Sequence, residues 1–380
     1  MLSAMENEIT QKLQLLRNRL EAIMRGAESA GRWHKPLMAL STLYGSTMTA
    51  RNRLYDKGTL KTGRAPSAVI SVGNITMGGS GKTPLVELIC RKLSGHKTGI
   101  LSRGYGGSAP GPFYMVGGPE GILGEPPPIS ADEPYMLARR LPGVVVACAP
   151  NRLYGARKMA EKYGVDTIIL DDGFQRRSIA RDLDILAHDA FTPLASNFVF
   201  PRGTLREPLD GINRAGIIVI TAPDGAPETI ISQAVDEVRS LAPGKPVAVA
   251  LGSIAGFKSL NGQQSVNVNG PALAFCGVGA PERFKMSLEK TGVKVSEFIT
   301  FPDHHKYQVG DIELIRKAAA DMEAEFIVTT EKDAVRLIRF MGALASMPVC
   351  YAEYGLRITR GESELNAALA GALKGATGAG

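Results

Sequence analysis

The stretch SVGNITMGGSGKTP, residues 71–84, joins a β-branched run to a glycine cluster, a Lys-Thr pair and a helix-like segment. Residue types in that order suit a polyphosphate. Glycines let backbone N–H groups approach anionic oxygens closely, and a helix N-terminus adds a favourable dipole. Thr76, Met77, Gly78, Gly79, Ser80 and Gly81 would wrap the phosphates, Lys82 would reach the β- and γ-phosphates, and the Thr83 hydroxyl would ligate Mg²⁺. Pro84 fits the first helical turn, where its missing N–H costs nothing. The strict pattern G-x-x-x-x-G-K-[ST] asks for glycine where this chain has Thr76. A glycine-rich turn without a ligand is the alternative reading. A phosphate loop also needs an acid at the end of a neighbouring strand to hold the metal. The run TIIL, 167–170, leads directly into Asp171 and Asp172 and offers that acid.

The elements that would position these residues follow from periodicity. AVISV (68–72), VVVAC (144–148), TIIL (167–170), LDIL (183–186), GIIVI (216–220) and VAVAL (247–251) read as strands. They alternate with helix-like segments at 84–94, 133–140 and 152–163, the rhythm of a mostly parallel sheet covered on both faces. A second series predicts a smaller α/β unit: ALAFC (272–276), VSEFI (295–299) and EFIVT (325–329), with helices near 281–291, 309–323 and 333–341. The polar stretch 251–270 reads as the connection between the units. Residues 103–130, with eight Gly and six Pro, read as a long loop, and the closing GALKGATGAG as a fraying end.

Composition bounds the rest. With 44% hydrophobic and 21% charged residues among 380, the chain is globular rather than disordered. No run approaches the ~18 apolar residues of a membrane-spanning helix. Cys90, Cys148, Cys276 and Cys350 are scattered without a C-x-x-C pair, which points to a reducing compartment and against a cysteine metal site. Glu6 and Glu8 and the lack of an apolar signal core argue against export. The net charge of +7 is concentrated: residues 1–66 hold eleven Lys/Arg against five Asp/Glu. Ile9, Leu13, Leu16, Leu20 and Ile23 fall on one helical face, and the apolar run 36–44 follows. Such a segment is either an interfacial helix drawn to anionic headgroups, at ~1 kcal/mol per basic residue, or a helix docked on its own domain with solvated charges outside. Nucleic acid is not supported, since no binding motif or aromatic platform accompanies the charge.

The combination VGNITMGGSGKTP, SRGYGG, DEPYMLARR, DDGFQ, ARDLDIL, GTLREPL, FPDHH and TEKDAVRL, in this order, resembles the tetraacyldisaccharide 4′-kinase family, the lipid A kinases of Gram-negative bacteria. The resemblance runs from about Leu40 to about Leu337. It implies an α/β fold: a P-loop NTPase-like α/β/α domain (49–260), a smaller C-terminal α/β lobe (261–376), and an N-terminal basic amphipathic helical segment (1–48) on the membrane surface. It implies ATP and Mg²⁺, a lipid disaccharide 1-phosphate as acceptor, no obligate protein partner, and a peripheral place on the cytoplasmic face of the inner membrane. By the same resemblance Asp132 pairs with His304 to deprotonate the acceptor hydroxyl, and Glu133, Asp171 and Asp172 stand around the metal beside Thr83. Arg206 is a candidate for the acceptor's 1-phosphate. Glu207, Arg152, Gln175 and Tyr105 are further candidates in that cleft. Two departures add charge: Arg176 where the family often has His, and Arg202 in place of Ala.

Plainer assignments stand beside these. Asp132 could be a helix N-cap, His305 could be the active histidine, Arg206 and Glu207 could be a surface ion pair, and Lys332 and Asp333 could simply start a helix. A nucleotide-switch ATPase or GTPase is a rival class. Met77 stands where dimerising ATPases carry Lys, and TEKD has the wrong order for guanine recognition. A non-catalytic membrane-surface scaffold, which would bind no ATP, is another.

Overall fold

Apolar, β-branched runs become strands buried on both faces, the signature of a parallel sheet under helices. Every residue is buried in β1 (Ala68–Gly73), β2 (Thr98–Ser102), β5 (Val145–Cys148), β6 (Thr167–Asp171) and β7 (Leu183–Asp189). The structure, a computed structural model, describes residues 16, 19–262, 264–345 and 347–377. Ile9 and Leu13 of the expected N-terminal stripe lie outside them.

The remaining strands are β3 (Tyr114–Gly118), β4 (Gly121–Ile122), β8 (Ile217–Pro223), β9 (Val247–Ser259), β10 (Ser265–Val266), β11 (Pro271–Cys276), β12 (Lys294–Thr300), β13 (Phe326–Thr330) and β14 (Val349–Arg360). All join one sheet in the order β12-β11-β13-β14-β9-β8-β7-β1-β6-β2-β5-β3-β4, with β10 paired to β9. Helices α1 (His34–Asp56), α2 (Lys82–Lys92), α3 (Asp132–Arg140), α4 (Arg152–Tyr163), α5 (Glu228–Leu241), α6 (Pro281–Lys290), α7 (Val309–Asp321), α8 (Glu331–Leu337) and α9 (Glu362–Thr377) accompany it.

Several elements depart from the expected pattern. The stretch 251–270 is not a free connection, because β9 continues to Ser259 and pairs antiparallel with β14 from Val249↔Arg360 to Ser259↔Cys350. This ladder fuses the two expected units into one sheet. The Gly/Pro-rich segment 103–130 is not all loop; it contains the β3–β4 hairpin, which extends the sheet past β5. Residues 371–377 continue α9 rather than fray. Leu365, Leu369 and Ala372 of that helix pack with Ile70, Ile185 and Val219, so the chain's last helix returns to the core of the first unit. The expected boundary at 48/49 falls inside α1, which runs unbroken past it.

Candidate active site

Strand β1 sits between β6 and β7, and all three are parallel. From β1 the chain turns to one side through α2 and β2, and later crosses to β7 on the other side. Open α/β sheets bind ligands at such a reversal, outside the carboxyl ends of the strands. The glycine-rich loop leaves β1 at that point. Asn74 Nδ2 donates to Ser80 Oγ at 2.8 Å, and Thr221 Oγ1 donates to the Ser80 carbonyl at 3.1 Å, so the loop is stapled to itself and to β8. The Met77 amide donates to Thr204 O at 2.7 Å. Gly81, at φ 67°, is the N-cap of α2 and brings no side chain to the first-turn amides, which remain free for an anion. Gly78 and Gly79 face open space. Lys82 and Thr83 are the first two residues of α2, as the motif requires.

Asp171 closes β6 and Asp172 follows in a left-handed conformation, φ 55°. Lys82 Nζ lies 3.7 Å from Asp172 Oδ1. Burial holds the Lys82 ammonium below its usual range, opposed chiefly by Asp172. Asp171 is buried, and its Oδ1 has no hydrogen-bond partner. Burial first, and then the like charges of Glu133 and Asp172, push its carboxyl up to about 7. Asp171 faces the like charges of Glu133 and Asp172 and keeps one oxygen orphaned, which fits a divalent cation beside it. Among the described residues no group of three or more His, Cys, Asp or Glu could hold a metal unaided. Mg²⁺ usually relies on one or two carboxylates plus substrate phosphates.

The second half of the site comes from the C-terminal unit. Phe301 N donates to Cys276 O and His304 N to Gly277 O, pinning the loop after β12 to the end of β11. Gly277 keeps the loop close, since an added Cβ would stand 3.1 Å from Asp333 Oδ1 and 3.2 Å from His305 Cβ and press on both. His304 adopts φ 57°, a strained conformation for a non-glycine residue, and this aims its ring across the cleft. His304 Nδ1 lies 3.4 Å from Asp132 Oδ2. His305 faces elsewhere: its Nε2 contacts Asp311 Oδ2 at 2.9 Å and its ring stacks on Phe301. Asp132 is the first residue of α3 and not its cap, a position Ala131 occupies. His304, not its neighbour, is the histidine brought to Asp132.

Arg336, which no spacing in the sequence singles out, ties the halves together. Its Nε and Nη2 donate to Asp132 Oδ2 at 2.8 and 2.6 Å, and its Nη1 donates to Asp333 Oδ1 at 3.0 Å and to Gly277 O at 3.1 Å. Hydrogen bonds from His304 and Arg336 outweigh burial and hold the Asp132 carboxyl below its usual range. Asp333 is wholly buried and also accepts from Tyr307, Thr330 and the Gly277 amide, so it anchors the loop rather than merely starting a helix. Lys332 reaches Glu133 Oε1 at 3.3 Å. Farther back, Arg140 bridges Glu87 of α2 to Glu331 of α8.

The remaining candidates divide. Arg206 Nη1 donates to both oxygens of Asp172 at 2.8 Å, which places it beside the phosphate loop. It does not pair with Glu207. Glu207 is wholly buried and accepts from Arg214, Asn52 and Gln175. Its oxygens are engaged by the protein, so the structure makes it a brace rather than a ligand group. Gln175 is committed likewise, donating to Asn74 O and Glu207 Oε1. Arg152 is buried under the site with Nη1 on Ala149 O, its guanidinium pushed down to about 10 by burial and then by Arg176. Tyr105 is 79% exposed in the turn that follows β2. Arg176 is half-buried among Arg103, Arg51 and Arg206, while Arg202 stacks on Phe198 beside α1. Glu207→Ala would strand Arg214 and remove one of the ties to α1, that from Asn52. We expect a loss of about 3 kcal/mol of stability, read as a lower denaturation midpoint.

A glycine-rich loop at the reversal point of such a sheet places the chain in the P-loop class of nucleotide-dependent phosphotransferases. A family model described as Tetraacyldisaccharide-1-P 4'-kinase matches residues 33–374. The Tetraacyldisaccharide 4'-kinase of Syntrophus aciditrophicus is 36% identical over 334 residues, covering 85% of this chain and 88% of that protein. The corresponding protein of Chlorobaculum parvum is 41% identical over 312 residues, 79% of this chain and 83% of its own. The crystal structure of LpxK from Aquifex aeolicus in complex with ATP superposes with a TM-score of 0.71 at 30% identity, covering 90% of this chain and 99% of that one. The chain belongs to the tetraacyldisaccharide-1-P 4'-kinase family.

Proposed function

We infer that this chain is an ATP-dependent kinase that transfers the γ-phosphoryl group to the 4′-hydroxyl of a tetraacyldisaccharide 1-phosphate, giving lipid IVA. Family membership supports the reaction, and the nucleotide-switch alternative is not favoured. The observation that carries the chemistry is His304 meeting Asp132 across the cleft, since a switch has no need of a base for a sugar hydroxyl. Asp132 orients the ring with its Nδ1–H toward the carboxylate, and this leaves the Nε2 lone pair to take the hydroxyl proton. Lys82 and the free amides of the loop grip the phosphates. Thr83, Asp171, Asp172 and Glu133 would hold Mg²⁺, which when bound neutralises charge across the phosphates. One unit thus supplies the phosphate loop and acids, and the other supplies the base. Incubation with γ-labelled ATP and the disaccharide 1-phosphate should place label on the 4′ oxygen; label only in free phosphate would refute the reading.

We further propose that α1 rests on the cytoplasmic face of the inner membrane. Its inner face is held by Ser41 Oγ on Val199 O at 2.5 Å and Tyr44 OH on Arg206 O at 3.0 Å. Its outer face carries exposed leucines among polar residues: Leu40 is 54% and Leu43 66% exposed, and Leu54 follows along the same stripe. Arg32, Lys35, Arg53 and Lys57 lie nearby and are exposed as well. Among the described residues no helix is long and apolar enough to cross a membrane. Exposed leucines beside basic side chains suit the headgroup boundary. Leu40→Glu with Leu43→Glu should reduce co-sedimentation with anionic vesicles, and added salt should weaken the wild-type association. Unchanged partitioning would mean that α1 only docks on its own domain.

A further inference from the structure

Two cations reach His304 from one turn of α8, and they are held very differently. Arg336 is fully engaged by Asp132, Asp333 and Gly277. Lys332 has two long contacts: Nζ lies 3.3 Å from Glu133 Oε1 and 3.3 Å from His304 Nε2. Its side chain is partly exposed to the cleft. Nε2 is the atom that must receive the hydroxyl proton. Glu133 belongs to the acidic group that shares its field with Lys82 and Asp171. The ammonium therefore stands between the base and the acids. It can donate to Nε2 only through the lone pair that the acceptor hydroxyl needs, so the two cannot occupy that place together. An ammonium carries three donors on a flexible stem, and so can change partners without losing its charge.

We propose that Lys332 is a further catalytic residue. When the acceptor hydroxyl takes its place at His304 Nε2, the ammonium turns onto the oxygens of the phosphoryl group in transfer. This rests on the kinase reading above. The hydroxyl oxygen supplies the pair for the new O–P bond. The bond from the γ-phosphorus to the bridging oxygen breaks, its pair leaves with the nucleoside diphosphate, and the hydroxyl proton goes to Nε2. Lys332 gives up no proton; it supplies donors and positive charge as the phosphoryl oxygens move away from the phosphate loop, where Lys82 can no longer follow them.

The test compares the full-length wild type with Lys332→Met and Lys332→Arg in two measurements. With the disaccharide 1-phosphate as acceptor, Lys332→Met should lower kcat about 10²-fold, the usual effect of removing one transition-state donor, and Lys332→Arg should recover part of it. By calorimetry with Mg²⁺, Lys332→Met should bind ADP as the wild type does, yet bind ADP with aluminium fluoride and acceptor about 10²-fold more weakly. A kcat within threefold of wild type overturns the proposal. So does an equal fall in both affinities, the mark of a residue that only braces the cleft. Folding is checked by the thermal unfolding midpoint; should Lys332→Met fail to fold as the wild type does, both measurements are read on Lys332→Gln instead, with the same outcomes. A wild type that puts no label on the disaccharide overturns the kinase reading and this proposal together, whereas an active wild type matched by Lys332→Met overturns this proposal alone.

Discussion

Lys82→Ala is expected to lower turnover by on the order of 10³-fold or more. The side chain opens α2 at the reversal point of the sheet, and its nearest charge is Asp172, 3.7 Å away. Arg206 already holds Asp172 from the other side. Removing the ammonium therefore leaves Asp172 paired while the phosphates lose a largely buried cation. The field there is strong because the surroundings screen poorly. Burial lowers the Lys82 ammonium, and an incoming polyphosphate would reverse that cost, so the residue is poised for an anionic ligand. Steady-state kinetics with ATP titration checks this. Activity within tenfold of wild type would end the phosphate-loop assignment, since no other free lysine opens that helix.

The parallel half of the sheet was legible because both its faces are buried, so its strands are unbroken apolar runs. Ile168, Ile169 and Leu170 of β6, or Ile218, Val219 and Ile220 of β8, could be little else. The strands that escaped notice are those with a wet face or a mixed pattern. In β14, Glu353, Arg357 and Arg360 interrupt the apolar positions, and the later half of β9 reads SIAGFKS, with its residues only partly buried. Their pairing is antiparallel and long-range, and composition carries no trace of it. The β3–β4 hairpin hid within a glycine- and proline-rich stretch: it ends the sheet beyond β5, pairs antiparallel, and is short, with β4 only two residues long.

The site divides along similar lines. Groups that lie next to one another in sequence, such as Lys82 with Thr83 or Asp171 with Asp172, declared themselves through a local pattern. Asp132 and His304 needed the family resemblance to be paired, because only tertiary structure brings them together. Arg336 lies in the matching stretch TEKDAVRL, but nothing local to that stretch names its partners. Its role comes from four partners, Asp333 on its own helix and Asp132, Gly277 and His304 on three other segments. Glu207 shows the converse. Its motif marked it as important, and burial shows that the importance is structural, joining α1, Gln175 and Arg214 around one carboxylate.

His304→Ala is expected to slow the chemical step about 10²–10⁴-fold while leaving ATP binding largely intact. The separation follows from the geometry, because the phosphate loop and its acids belong to the first unit and the imidazole stands on the loop after β12. Asp132→Asn makes the sharper comparison. An amide cannot balance the charge of Arg336, whose Nε and Nη2 both donate to Asp132 Oδ2, and it can turn an N–H toward His304 Nδ1. That would favour the tautomer with its proton on Nε2, which has no lone pair for the hydroxyl. Asp132→Asn should therefore cost nearly as much as His304→Ala, and the double variant little more than either, because the two side chains act as a unit. His305→Ala should leave kcat within a few-fold and cost about 1 kcal/mol of stability, through its contacts with Asp311 and Phe301. Single-turnover transfer to the disaccharide, with ATP affinity measured in parallel, reads all four variants. Should His305→Ala abolish transfer while His304→Ala spares it, the base has been assigned to the wrong histidine. Should the double variant lose the product of the two single losses, Asp132 and His304 work independently and the paired mechanism fails.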